Sequence, residues 1–400
     1  MRARKAKLNP RCLYSLIFPL MAIVIITSTI LCKKKPPEEN YLEPVNISNN
    51  SGRSENPSIA VDSKGTVHLV WNDRTLGNEE ILYAMKPVGD SWSEPVQVTH
   101  NSGASRSPFI VIDKNDKIHL VWQQIVYHEP SSYWEIFYTW RSAGDTWATP
   151  ETISIYGLST GPRLAVDENV GLHLFWREAF SPDTGFNYYA YKPSGGTWQD
   201  FQAFPFGVTM YPSPCDIKID KSGGVHIVLE SSSEVYYIER KPSGEWLDKT
   251  KISHSPTDWR LSISPSFEIG TDGSLNIVWF ECDTALEGIA YLKRTPQGEW
   301  LPIISPFKND EWKDYWGLSQ PRIGIGKSGN LYVVWVGIKI GYGIKEGDTW
   351  TDSKTLVINK KGGDRPALAI DYEEQVQFVW QQPDSLNSEN YEIYYIDFKP

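Results

Sequence analysis

Arg163, Asp216, Lys218, Glu268 and Arg322 are charged residues whose spacing along the chain invites chemistry. A guanidinium fork matches a carboxylate or sulfate bidentately, so two converging arginines would clamp such a group. Charges taken out of water need partners, so the same five could equally form an internal ion-pair network. A second set, Arg177, Trp259, Trp312, Tyr315 and Trp316, combines flat rings with hydrogen-bonding charge. That mixture suits sugars, whose C–H faces stack on aromatics while their hydroxyls bond polar groups. The segment NDEWKDYW at 309–316 concentrates both chemistries. For acid–base catalysis the candidates are the carboxylates Glu178, Glu230 and Glu281, with Tyr211 and His128 as bases.

Whether these residues meet depends on the elements that carry them, and those elements repeat. A run of apolar residues, an Asp or Gly, a turn, and a second apolar run ending in Trp, or in Leu in the fourth copy, recurs at Ile59–Trp71, Ile110–Trp122, Leu164–Trp176, Ile217–Leu229, Phe267–Trp279, Ile323–Trp335 and Leu368–Trp380. The ends of successive copies are 51, 54, 53, 50, 56 and 45 residues apart, a period of propeller-like length. The first six copies continue into a third strand, Tyr-rich as in EILYAMK, and a tight turn such as GDSW or GDTW, then a fourth strand such as EPVQVT. Four antiparallel strands repeated seven times predict an all-β, seven-bladed β-propeller with blades near 56–100, 107–154, 161–204, 213–254, 264–305, 320–358 and 365–400. The seventh copy stops before its turn and fourth strand, while YLEPVNIS at 41–48 matches WSEPVQVT at 92–99. The N-terminal strand is therefore expected to complete blade seven and leave no open edge.

The Gly-x-Thr-Trp turn between third and fourth strands resembles the Asp box of the sialidase superfamily, a Ser-x-Asp-x-Gly-x-Thr-Trp hairpin of propeller blades. Here its Asp position holds Pro87, Ser142, Pro193 and Lys345, while the Gly and Trp that shape and plug the turn remain. The resemblance implies a propeller whose boxes lie at the periphery, away from any active site. It also implies, for an enzyme of that family, an arginine triad, for which Arg163 and Arg322 supply two members and Arg106 or Arg365 a third.

Residues that recur in most units serve the unit. The Trp series is read as core, and the Asp series at the first turn as turn chemistry. His68, His119, His173 and His226 share one register on separate second strands, so no metal site is expected, and no cofactor. First strands of a propeller line its axis with alternate side chains. Four and two positions before the first turn, the lining is mostly small, and Arg163, Asp216, Lys218, Glu268 and Arg322 break it. Three readings stand open: a binding module for an extracellular glycan or other ligand, a carbohydrate-active enzyme (exo-sialidase-like hydrolase or polysaccharide lyase), and a protein-interaction scaffold.

Arg2, Arg4, Lys5, Lys7 and Arg11 precede the apolar run Leu13–Leu31, which meets Cys32 and three lysines. That is an export signal. Its end resembles a bacterial lipobox, which implies lipidation at Cys32; retention of 13–31 as an anchor is the alternative. The domain plan is leader or anchor 1–32, tether 33–40 and propeller 41–400. Of 39 basic and 49 acidic residues, eight and two fall in the first forty, leaving the rest at about −16. Nucleic acid is excluded as a partner by that charge. A monomer tethered to a membrane is expected. Cys215 and Cys282 alone follow the leader, too few for a disulfide framework.

Overall fold

The computed structural model describes residues 41–154, 157–181, 184–204, 215–253, 261–282, 288–308, 320–337, 339–358, 361–385 and 388–400. Every element among them is a strand. In the first unit Ser54–Val61, Val67–Asp73, Glu80–Lys86 and Val96–Gln97 pair antiparallel in chain order. The other units repeat that order, with two local departures. One parallel pairing, Leu158 with Trp134, fuses units two and three into a single sheet. Unit six adds Lys354–Ile358 beside its third strand, Lys339–Glu346.

Local chemistry explains the repeat. The second strand VHLVWND is buried at every position, because it lies inside its sheet and both faces meet neighbouring units. β-branched and aromatic side chains suit such a surface. In the first turn Asp62 Oδ1 accepts the amides of Lys64 and Thr66 at 3.0 and 2.8 Å, and Gly65 supplies φ +82°. The other oxygen, Oδ2, takes His68 Nε2 at 3.3 Å, while His68 Nδ1 meets the Tyr83 hydroxyl at 2.7 Å. The same Asp–His–Tyr chain runs through His119, His173 and His226. Each imidazole is thus saturated within its own unit.

Units pack through seven apolar clusters, each joining one unit to the next. One holds Val70, Tyr83, Ile110, Leu120 and Trp122; another holds Ile47, Trp71, Val379, Ile393 and Tyr395 and joins unit seven to unit one. The turn Trp has a role beyond its own hairpin, where Arg141, Arg240 and Arg294 lie over Trp147, Trp246 and Trp300. It also stands edge-on against the third-strand Tyr of the preceding unit: Tyr83–Trp147 at 5.6 Å, Tyr138–Trp198 at 5.4 Å, Tyr189–Trp246 at 5.3 Å, Tyr237–Trp300 at 5.2 Å and Tyr291–Trp350 at 4.9 Å. Tyr395 of unit seven meets Trp92 of unit one at 5.0 Å in the same way. At the joint of units six and seven, where no turn Trp exists, Phe398 sits against Tyr342 at 4.9 Å.

The segment 41–48 joins unit seven. Val45 and Asn46 pair with Tyr395 and Tyr394 of the last strand, Tyr391–Phe398. Ser48 Oγ accepts the Ile393 amide at 2.9 Å and donates to Glu392. Fourth strands elsewhere do the same: Thr99 Oγ1 takes the Ile81 amide at 2.9 Å and bonds Glu80, and Ser253 Oγ takes the Val235 amide at 3.0 Å and bonds Glu234.

Candidate functional site

A cavity of about 770 Å³ is bounded by the first strand of every unit. Five of those strands share a device absent from the sequence reading. A residue before proline adopts left-handed φ and makes a bulge, at Asn56 (56°), Ser107 (52°), Gly161 (63°), Ser264 (57°) and Arg365 (48°). The bulge turns the amide toward the preceding unit, where a second-strand side chain accepts it: Gln381 for Asn56 at 2.7 Å, Asn72 for Ser107 at 3.3 Å, Gln123 for Gly161 at 2.9 Å and Glu230 for Ser264 at 3.0 Å. In these four units the latch fixes where the first strand begins, and so which of its side chains face the cavity.

Below the bulges the lining is Ser58, Phe109, Ser266 and Ala367 at one level and Ala60, Val111 and Ala165 at the next. Arg163, Asp216, Lys218, Glu268 and Arg322 all line the same cavity, from units three to six. Lys218 Nζ bonds Glu268 Oε1 at 2.8 Å, with the two side chains 32% and 21% exposed. Burial works against the Lys218 ammonium, but Asp216 and Glu268 outweigh it and raise its pKa. Asp216 is engaged through both oxygens, by its neighbour's amide at Ile217 (3.0 Å) and by that of Phe267 (3.3 Å).

The two guanidinium groups are posed alike. Nη1 of Arg163 donates to the Pro162 carbonyl, and Nη1 of Arg322 to the Pro321 carbonyl, both at 2.8 Å. Arg163 also lies over the Phe109 ring, 5.1 Å from its centroid. Burial, and then the charge of Arg163, pull the Arg322 pKa down to about 10 against the opposing effect of Asp216. At the mouth, Asp364 lines the cavity with Oδ1 buried and without a hydrogen-bond partner among the described residues. Burial raises its carboxyl, and Glu55 adds to this while Arg365 opposes it. Asp364 escaped the sequence reading because it precedes the bulge; the recurring X-Pro before each first strand was the available signal.

The remaining candidates sit apart from the lining. Glu281 is 1% exposed and accepts the indole of Trp279 and the hydroxyl of Ser262, both at 2.8 Å. Asp73 treats Trp71 and Ser54 in the same way. Glu178 occupies that register in unit three, and burial raises its pKa. Glu230 holds the Ser264 bulge and is likewise raised by burial. His128 closes a hairpin, its Nε2 2.8 Å from Glu135 Oε1. Arg177 stands at the latch register of unit three, its Nε buried and its pKa lowered by burial. Arg106 leaves the cavity to bond Glu79 at 2.6 Å, under the Trp134 ring. Tyr211, Trp259, Trp312, Tyr315, Trp316 and Cys32 lie outside the described residues.

No protein-family profile and no curated protein matches the chain. Among solved structures it is similar to an ulvan lyase, a polysaccharide lyase bound to -[GlcA(1-4)Rha3S]-, with 12% identity and a TM-score of 0.57 over 88% of this chain and 96% of that one. It is similar to the polysaccharide lyase Uly1, with 12% identity and a TM-score of 0.56 over 92% and 93%. It is also similar to a point mutant of the NanB sialidase of Streptococcus pneumoniae, with 14% identity and a TM-score of 0.50 over 90% and 71%. Identities this low establish a shared β-propeller fold and leave chemistry to the site.

Proposed function

We propose that this protein is an exported, sialidase-like propeller of seven blades, closed by residues 41–48, that binds an extracellular glycan at the mouth of its axial cavity. One observation carries the reading: a lining built from small residues is interrupted on consecutive units three to six by Arg163, Asp216, Lys218, Glu268 and Arg322. Stability alone does not call for charge there, because buried ion pairs at best roughly break even against well-packed hydrophobic residues. A cavity of about 770 Å³ suits one or two sugar rings. The leader supports export, with Cys32 as the lipid attachment and 33–40 as tether. The loops carrying Trp259, Trp312, Tyr315 and Trp316 would supply the stacking surfaces above the cavity.

A glycan array probed with residues 41–400, followed by reducing-end and sialic-acid release assays, tests this. Retention of a subset of glycans with no sugar released is the expected result. Release of any sugar replaces binding with catalysis. Failure to retain any glycan transfers the reading to a protein-interaction scaffold.

A further inference from the structure

We infer that the unit-two hairpin carries a stacking shelf for a sugar ring outside the cavity, built on Tyr127 and Trp134, so that the ligand is an oligosaccharide engaged at two places. The inference rests on the glycan reading and deepens it. In units one and four the second and third strands are seven residues each, Val67–Asp73 with Glu80–Lys86 and Val225–Ser231 with Glu234–Arg240. In unit two they are eleven each, Ile118–His128 with Ser131–Arg141, and stay paired to the tip at His128 and Ser131. The added length is exposed sheet, and its two faces differ. Partners across a sheet share a face, as do alternate residues along a strand. Ile125, Trp134 and Leu158 therefore stand in one row over three neighbouring strands, with Tyr127 and Ser132 in the next row on the same face. Here Tyr127 is 61% and Leu158 43% exposed, and Ser132 is exposed as well. The opposite face is closed: His128 bonds Glu135 at 2.8 Å, and its ring lies 5.8 Å from that of Tyr133.

Trp134 is set in direction before any ligand arrives. The Arg106 guanidinium lies 5.3 Å from the centroid of its ring and is itself bonded at 2.6 Å to buried Glu79, which Asn72 also bonds at 2.8 Å. A ring held by an anchored cation loses little entropy on binding. The shelf is continuous with the cavity along both chains that form it. Arg106 precedes Ser107, Leu158 lies on the strand that leads to Gly161, and Ser107 and Gly161 both line the cavity. Flat rings beside an exposed hydroxyl at Ser132 match the C–H face and hydroxyls of a pyranose. A second copy of the chain fits poorly, since Ile125, Tyr127, Trp134 and Leu158 fall far short of the roughly 20–30 residues a side of a stable protein interface.

The test titrates the purified protein by calorimetry with cello-, manno-, chito- and glucuronate oligosaccharides graded in length from the monosaccharide upward. Affinity should rise roughly tenfold or more once the chain is long enough to reach the shelf. Tyr127→Ala and Trp134→Ala should each remove most of that rise and leave monosaccharide binding unchanged, whereas Tyr127→Phe, which keeps the ring, should preserve it. Tyr127 is exposed, so its variants should fold and carry the test should Trp134→Ala fail to. Tyr372→Ala is the control: that ring is 66% exposed at the turn after Asp364–Ile370, the end of the strand opposite its bulge, and its loss should change nothing. Affinity that does not grow with length, or that grows equally in Tyr127→Ala, overturns the shelf and leaves glycan binding standing. No binding of any oligosaccharide overturns the glycan reading and the shelf with it. A dimer in sedimentation that Tyr127→Ala dissolves, with no oligosaccharide bound, gives this face to a second copy and likewise overturns the shelf.

Discussion

Ser48 and Ile47 provide a decisive perturbation, because they lie some 345 positions from the residues they are expected to stabilise. Ser48→Ala removes the hydroxyl that accepts the Ile393 amide at 2.9 Å and donates to Glu392. Both partners are buried, so they lose a hydrogen bond that water cannot readily replace. The cost should be about 1–3 kcal/mol. Ile47 is 9% exposed and packs with Trp71, Val379, Ile393 and Tyr395 across the joint between units seven and one. Ile47→Ala should cost about 2–5 kcal/mol. Ser253→Ala is the internal control, since Ser253 makes the same two bonds, to Val235 and Glu234, inside a unit continuous in sequence. Chemical denaturation followed by tryptophan fluorescence measures all three, with an unchanged denaturant slope showing that compactness is preserved. Ser48→Ala and Ser253→Ala should agree to about 0.5 kcal/mol. Values for Ser48→Ala and Ile47→Ala within about 0.5 kcal/mol of zero, the range of ordinary surface substitutions, would refute the pairing of the chain's two ends.

Stability should fall as pH drops below about 6.5, the unperturbed histidine value. Burial lowers the pKa of His68, His119 and His173 in the folded state, so the unfolded chain binds more protons there and stability is fully present only above that pH. The slope reaches at most about 4 kcal/mol per pH unit for the three together; denaturation at pH 7.0 and 5.5 should reveal it, and His119→Gln should flatten it. Trp147→Ala removes the wedge on Tyr83 and should cost at least about 1 kcal/mol, whereas Trp147→Phe should recover part of it in the same assay. Glu230→Gln should leave stability and ligand binding unchanged, since Gln123 and Gln381 already hold bulge amides in that register. Glu230→Ala should cost about 1–3 kcal/mol; loss of binding in Glu230→Gln, with stability intact, would place this carboxylate in the site.

The strands and their grouping were legible in the sequence because each depends on local chemistry. An Asp that caps its own turn, a Gly that turns left-handed and a Trp at the end of a fully buried strand leave a mark every fifty residues or so. The pairing of 41–48 was legible because Ser48 repeats Thr99 and Ser253 in type and position. What was not legible lies between units. The turn Trp reads as serving its own hairpin alone until the Tyr of the preceding unit is in place, at 5.6 Å for Trp147 and 5.3 Å for Trp246. Glu230 and Glu281 read as chemistry because the amide or indole each serves becomes visible only with strand pairing or a neighbour in place.

That distinction holds for the latches too. The latch position after the core Trp is Asn72, Gln123 and Gln381 in three units and Glu230 in unit four, all acceptors for a bulge amide. In units three, five and six it is Arg177, Phe280 and Val336, none of which can accept a hydrogen bond through its side chain. In unit six the task passes to another strand: Gln320 Oε1, on the first strand, accepts the Arg365 bulge amide of unit seven at 2.8 Å. The amide is therefore held although Val336 cannot hold it. Val336→Gln would place an amide at a fully buried position whose intended partner is already bonded, and should lower stability by about 1–3 kcal/mol in chemical denaturation; a gain in stability would show instead that the unit-six position lacks its acceptor.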